Sequence, residues 1–153
     1  MVLLSSISLS HNDPVSSGAR AEGRPARHRK EEHMISKVGS VAVPVSDQDE
    51  AERFFVDVLG FEKRTDVVIG TRRFLEVAPP GADTVIAPYT WVEHHDDRVG
   101  GFSRVVLECA DVVAVQRELV ARGVRFEVVP EEAGYAQFLD PFGNVFVLAP
   151  TPG

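Results

Sequence analysis

Two stretches of the sequence decide the fold: Ser40-Val41-Ala42-Val43-Pro44-Val45-Ser46-Asp47 and Arg104-Val105-Val106-Leu107-Glu108-Cys109-Ala110-Asp111. Each has the period-2 pattern of a half-buried strand, and each leads into an Asp that can cap a helix. A helical pattern follows in both cases and ends near a glycine, Gly60 in the first copy and Gly123 in the second. The chain therefore contains one structural unit twice, and such an internal repeat constrains the whole fold.

Three short strands are predicted after each helix. In the first unit they cover residues 61–66, 72–77 and 84–89, and in the second, after a helix at 111–122, residues 124–129, 135–139 and 144–149. The last two strands are separated by Asp140-Pro141-Phe142-Gly143-Asn144, in which Gly143 can take a positive φ and the Asp and Asn side chains can bond the local backbone. The pattern predicts an α+β fold of two tandem βαβββ modules, whose sheets form a curved cup that can hold a small molecule.

The length and composition indicate one folded domain. With 153 residues and 44% hydrophobic content, the chain can bury one good core. Residues 1–33 are rich in Ser, Arg, His and Gly and show no periodicity, so we expect a disordered leader, with Met34 rather than Met1 as the functional start. The predicted domain covers 34–153, with module one at 35–92 and module two at 100–150.

The charge and cysteine content exclude several classes of function. A net charge of -7 without a basic face argues against nucleic-acid binding. No apolar run approaches the ~20 residues that span a bilayer, so we expect no membrane partner. The single cysteine, Cys109, fits a reducing cytoplasm and is better interpreted as a small buried side chain than as a catalytic thiol.

Three segments carry a resemblance to a known family. They are Val43-Pro44-Val45-Ser46-Asp47-Gln48-Asp49, Phe54-Phe55-Val56-Asp57-Val58-Leu59-Gly60-Phe61 and Phe138-Leu139-Asp140-Pro141-Phe142-Gly143-Asn144-Val145-Phe146-Val147-Leu148. With this spacing the chain resembles the vicinal oxygen chelate superfamily, which groups glyoxalase I, bleomycin-resistance proteins and extradiol dioxygenases. The resemblance implies the tandem fold and a homodimer that builds its cups across paired chains. It leaves the function open, because the superfamily includes lyases, isomerases, dioxygenases and drug binders.

The superfamily's metal site does not carry over to this sequence. By position its ligands fall on Ser40, near Ala87, on Arg104 and on Val147. None of these is a usual ligand for a divalent transition ion, and arginine cannot be deprotonated to become one. The acidic and histidine-containing run at 93–97 is interpreted as a solvated connector, since contiguous residues rarely close around one ion. We therefore expect no metal and no cofactor.

Arg104 is the strongest candidate for a ligand contact. It lies opposite Val105 on its strand and stands where a metal ligand would be, so it can hold an anionic or carbonyl-bearing ligand. The alternative is an internal ion pair with Glu76 or Glu108, or a side chain that simply reaches water. Aromatic side chains near strand ends favour a planar partner molecule. The predicted ligand-binding set is Ser40, Ala42, Arg104, Val106, Trp91, Tyr135 and Val147.

Three hypotheses about function remain open at this point. The leading one is a metal-independent protein that binds a small organic molecule, of the sequestering or antibiotic-resistance type. The alternative is a glyoxalase-like lyase, isomerase or dioxygenase with a divalent metal site, and the third is an interaction module without a ligand. No catalytic residue is assigned, because Ser40 has no histidine base in its module and no pair of inward carboxylates can be identified.

Overall fold

The fold is given by a computed structural model that describes residues 34–91, 96–101, 103–130 and 134–153. The predicted leader and the stretch 92–95 lie outside the described residues. Ser36–Gly153 forms one compact unit. In the described part, no helix is long and apolar enough to cross a membrane.

Module one contains a four-stranded mixed sheet, here called sheet A. Its elements are β1 (Ser40–Pro44), α1 (Gln48–Arg53), a π-helical turn (Phe54–Val58), β2 (Glu62–Ile69), β3 (Arg72–Ala78) and β4 (Val85–Tyr89). The strand order is β1-β4-β3-β2, in which β1 is parallel to β4 and the other pairs are antiparallel. Asp47 caps α1 as predicted, because its Oδ1 accepts from the backbone N–H groups of Asp49 and Glu50 at 2.8 and 3.0 Å.

Module two repeats this arrangement in sheet B. After a 3₁₀ turn (Asp96–Arg98), its elements are β5 (Arg104–Cys109), α2 (Val112–Ala121), β6 (Phe126–Val128), β7 (Ala136–Leu139) and β8 (Val145–Pro150). The order β5-β8-β7-β6 matches that of sheet A, again with one parallel pair, β5 and β8. Asp111 caps α2 by accepting from the N–H of Ala114 at 2.9 Å. The tandem βαβββ prediction is confirmed.

The first helix differs from the prediction in its second half. The pattern predicts one helix to Leu59, whereas α1 ends at Arg53 and continues as the π-helical turn, in which the Leu59 N–H donates to the Phe54 carbonyl at 3.0 Å. This i→i+5 bond widens the turn and so reduces the angle between successive side chains from the ~100° of an α-helix. Both Phe54 and Phe55 are buried.

One core joins the two modules. The Phe55 ring of module one lies 5.7 Å from that of Phe146 on β8, and Phe146 stacks on Phe138 of β7 at 5.5 Å. All three side chains are fully buried. The inner faces of both sheets therefore pack in a single apolar cluster, and no helix within the described residues covers the opposite face of either sheet.

A buried polar turn also connects the modules. Asn144, fully buried, donates from Nδ2 to the Pro44 carbonyl at 2.8 Å and to Asp140 Oδ2 at 2.7 Å, and its Oδ1 accepts from the Gly100 N–H at 2.9 Å. Asp140 Oδ1 accepts from the backbone N–H groups of Phe142 and Asn144. The predicted bonds from Asp140 to the local backbone are present. The Asn144 side chain instead bonds the Asp140 side chain, Gly100 and the end of β1.

Candidate functional site

The uncovered face of sheet A follows from the strand register. Val77 and Ile86 are paired and buried, so their neighbours Glu76 and Ala87 lie on the opposite, outer face because side chains alternate along a strand. The same alternation places Ala42, the partner of Ala87, on the outer face. Phe74, Tyr89 and Trp91 follow at even spacings along these strands.

Three aromatic rings cluster on this outer face. The Trp91 ring centroid lies 5.1 Å from that of Phe74 and 6.2 Å from that of Tyr89. The Arg72 guanidinium lies 5.2 Å from the Trp91 ring centroid, within the range of a cation–π interaction. We call Phe74, Tyr89 and Trp91 the aromatic cluster. It lines a recess of about 50 Å³, which Glu76 also borders.

A proline in β4 explains how Trp91 is held. Pro88 has no N–H to donate to β3, which weakens the strand ladder at this point. Side chains take over: Gln48 Nε2 donates to the carbonyls of Pro88 at 2.8 Å and Arg73 at 3.1 Å, and Trp91 Nε1 donates to the same Arg73 carbonyl at 3.2 Å. The indole is therefore fixed to the backbone of β3.

The Arg73 side chain ties this region of β3 to α1 and β2. Its guanidinium donates to Asp66, Asp49 and Glu52, and Lys63 donates to both Glu52 and Asp66. These hydrogen bonds, first from Arg73 and then from Lys63, hold the pKa of Asp66 well below its usual range. The aromatic cluster thus rests on a strand anchored by a charged network.

The uncovered face of sheet B has different chemistry. Arg104 pairs with Val145 and Val106 with Val147, and Arg104 and Val106 are exposed while the two β8 residues are half-buried. Tyr135 precedes β7 on the same face and is 38% exposed. Among the described residues, neither Glu76 nor Glu108 pairs with Arg104, whose guanidinium is open to solvent. The internal ion pair considered from the sequence is therefore not formed.

The seven predicted ligand contacts are divided between the two sheets. Three of them, Ser40, Ala42 and Trp91, belong to the sheet A face, and four belong to the sheet B face: Arg104, Val106, Tyr135 and Val147. Within the described ranges no hydrogen bond, ion pair or ring contact joins the two sets. Only Trp91 lies in the aromatic recess. The predicted contacts therefore belong to two sheet faces rather than to one bonded cluster.

Two larger cavities are also present in the described part of the chain. One, of about 350 Å³, is bordered by the π-helical turn, Arg122, Arg125 and the buried Asp140, and burial raises the pKa of that carboxyl. The other, of about 340 Å³, opens between β1 and β5 and is mostly apolar; of the predicted contacts it includes only Val106. Neither brings the predicted set together.

The residues at the superfamily's metal positions do not fit a metal. Ser40, Ala87, Arg104 and Val147 offer no imidazole or carboxylate. Across the residues that the structure describes, no three His, Cys, Asp or Glu side chains are grouped so that they could hold an ion. The run 93–95 lies outside that description. Burial raises the pKa of the Cys109 thiol, so this side chain has little thiolate character.

Sequence analysis missed part of the aromatic cluster. Phe74, Tyr89 and Arg72 were not predicted as contacts, although the alternation in β3 already places Phe74 and Glu76 on one face. The missing information is tertiary, since β3 and the end of β4 must be adjacent before their rings can meet.

The tandem modules with open outer faces define a βαβββ-type protein of the glyoxalase and bleomycin-resistance class.

The comparisons with known proteins agree with this class. The chain belongs to the Glyoxalase/Bleomycin resistance protein/Dioxygenase superfamily, whose family model matches residues 37–148.

Among similar solved structures, TnmS3, an antibiotic binding protein from Streptomyces sp. CB03234, is 35% identical and covers 78% of this chain and 99% of its own, with a TM-score of 0.71. A superfamily member from Sphaerobacter thermophilus is 37% identical, with coverages of 78% and 100% and a TM-score of 0.72. The Bacillus subtilis protein YetH, itself uncharacterised, is 35% identical over 121 residues, which are 75% of this chain and 98% of YetH.

Proposed function

We propose that this protein binds a planar aromatic molecule and sequesters it without metal chemistry. The observation that carries the proposal is the aromatic cluster, with an indole fixed at the edge of an open sheet face. Aromatic rings at this spacing offer faces and edges for a flat ligand. The similar structure of TnmS3, an antibiotic binding protein, supports the same class of function.

The site is completed in this proposal by a second copy of the chain. Because the predicted contacts are divided between the faces of two sheets, we expect a dimer to place the sheet B face of one protomer opposite the sheet A face of its partner. Ser40, Ala42 and Trp91 would then line one wall of the cup, and the opposite wall would carry the other four contacts: Arg104, Val106, Tyr135 and Val147. The exposed Arg104 would supply a charge-assisted hydrogen bond to an anionic or carbonyl group.

The donor chemistry supports metal independence over the enzyme alternative. The positions where the superfamily places its ligands hold a hydroxyl, two apolar side chains and a guanidinium. Elemental analysis of untagged protein tests this part, with one tightly held divalent ion per chain as the result that would contradict it.

Ligand binding can be measured directly because Trp91 is the chain's single tryptophan. We expect anthraquinone-2-sulfonate, a planar anion, to quench the fluorescence of Trp91 saturably. Arg104→Met should weaken this binding by roughly tenfold, in line with the loss of a charge-assisted hydrogen bond. Saturation with unchanged affinity in this variant would remove Arg104 from the site.

Mixing two variants tests the shared cup. Trp91→Ala removes one wall and Arg104→Met weakens the other, so each homodimer binds poorly. After full exchange of an equimolar mixture, half of the dimers are heterodimers, and each contains one cup with both side chains intact and one with neither. We therefore expect about a quarter of all cups to regain wild-type affinity. No recovery in a mixture whose exchange is verified by mass would contradict the shared cup.

A further inference from the structure

We propose that the recess beside the aromatic cluster binds a cationic amine or methylammonium group on the ligand. This inference rests on the proposed function, in that it takes the outer face of sheet A as a ligand surface, and it adds the chemical class of the group bound there. It is carried by three features of the recess: its rings, its carboxylate and its size.

The rings already bind a cation. The Arg72 guanidinium lies 5.2 Å from the Trp91 ring centroid, and the attraction of a positive charge to an indole face is the strongest cation–π contact among the aromatic side chains. Arg72 itself is exposed, so a ligand can displace it from the ring. A cationic group entering the recess would replace one cation–π contact with another.

The carboxylate at the recess has no internal counter-ion. Glu76 borders the same recess as Phe74, Tyr89 and Trp91 and is only partly exposed. Within the described part of the chain it forms no ion pair, in contrast to Asp66 and Glu52, which are both paired with Arg73 and Lys63. A carboxylate beside aromatic faces is the combination that recognises ammonium groups.

The volume of the recess fits a small head group. About 50 Å³ is the space of one or two small groups, by the ~30 Å³ that a water molecule takes up in the liquid. The recess therefore admits an ammonium or methylammonium group, and part of a trimethylammonium head. The planar body of the ligand would then extend over Trp91 and the exposed side chains of β2, Val67 and Ile69.

The test is a fluorescence titration of the full chain with benzyltrimethylammonium and with its neutral isostere, neopentylbenzene. We expect the cation to bind at least tenfold more tightly to the wild-type protein. Glu76→Gln should remove this preference and leave the affinity for the neutral compound unchanged. Glu50→Gln, an exposed carboxamide substitution on α1, is the matched control and should leave both affinities unchanged.

A second variant is expected to change the affinity for the cation in the opposite direction. Arg72→Met frees the Trp91 face from its internal cation, so we expect tighter binding of benzyltrimethylammonium, by roughly threefold, with circular dichroism confirming an unchanged fold. A general structural defect would weaken binding instead, so this result separates a specific effect from a loss of folding.

The outcomes distinguish the two proposals. Equal affinity for the cation and the neutral compound, or an unaltered preference in Glu76→Gln, overturns the amine site while planar-ligand binding stands. If neither these compounds nor anthraquinone-2-sulfonate perturbs Trp91, the proposed function fails together with this inference. A cation preference lost in Glu76→Gln and strengthened in Arg72→Met supports the amine site.

Discussion

The two modules close their last hairpins in different ways. In module two the connection between β7 and β8, Asp140 to Asn144, is a hydrogen-bonded turn whose Asn144 side chain binds the end of β1. In module one the connection between β3 and β4, Pro79 to Thr84, leaves a cavity of about 340 Å³ against β5. We call these the module-two turn and the module-one loop. Both junctions border a cavity, but among the described residues the same topology is held by buried side-chain hydrogen bonds at the module-two turn and not at the module-one loop.

This difference indicates which junction specifies the fold and which one tolerates substitution. Each donor and acceptor of a buried side-chain amide must be hydrogen-bonded, so the module-two turn fixes how the modules pack together. An apolar cavity has no such requirement and can change shape at small cost. We therefore expect substitutions at the module-two turn to be costly and their counterparts at the module-one loop to be mild.

The largest effect is expected for Asn144→Ala. Two buried partners, the Pro44 carbonyl and Asp140 Oδ2, and the partly buried N–H of Gly100 would lose their hydrogen bonds. The free energy of unfolding should fall by about 3 kcal/mol, since each unsatisfied buried group is costly. Urea denaturation measures this change.

The matched control lies in the module-one loop. Thr84 Oγ1 donates to the Val38 carbonyl at 2.7 Å on an exposed surface, so Thr84→Ala should cost less than about 1 kcal/mol. Similar losses in both variants would contradict the asymmetry between the junctions.

A pair of glycines sharpens the comparison. Gly100 and Gly81 both have a positive φ, +76° and +77°, but a Cβ on Gly100 would lie 2.9 Å from the Phe142 carbonyl oxygen, whereas Gly81 has nothing within 4 Å. Gly81→Ala should cost about 1 kcal/mol, the penalty of the left-handed conformation. Gly100→Ala should cost at least about 2 kcal/mol, because the module-two turn must also move. Thermal unfolding of the two variants separates the contact from the backbone penalty, and equal melting temperatures would show that the turn yields freely.

The sequence predicts the local part of this architecture well. The caps at Asp47 and Asp111 and the positive φ of Gly143 follow from residue type and spacing, and the structure has all three. The pattern predicts that the Asn144 side chain bonds the local backbone, whereas it bonds the Asp140 side chain and, 100 positions away, the Pro44 carbonyl. No local pattern contains that contact.

The candidate site was less accessible to prediction for the same reason. Alternation places Arg104 and Trp91 on outer faces, yet it does not show how the outer faces of the two sheets are arranged relative to each other. The π-helical turn also escapes prediction, because apolar spacing there fits an α-helix equally well. Phe55 is buried against Phe146 of the other module, and that packing is visible only once the modules are assembled.

The smallest change in stability is expected for substitutions at two positions near the ends of β1. Val41 borders the cavity at the module-one loop, whereas Val43, two residues on, is fully buried. One added methylene at Val41→Ile should enter free space and stabilise the protein by up to about 0.8 kcal/mol. The same change at Val43→Ile must displace packed neighbours and should cost about 1 kcal/mol. The two substitutions make the same chemical change on the same strand, so the sign of the difference in urea midpoint reports packing alone. A loss of stability in both variants would mean that the cavity is closed in solution and that the two junctions are equally tight.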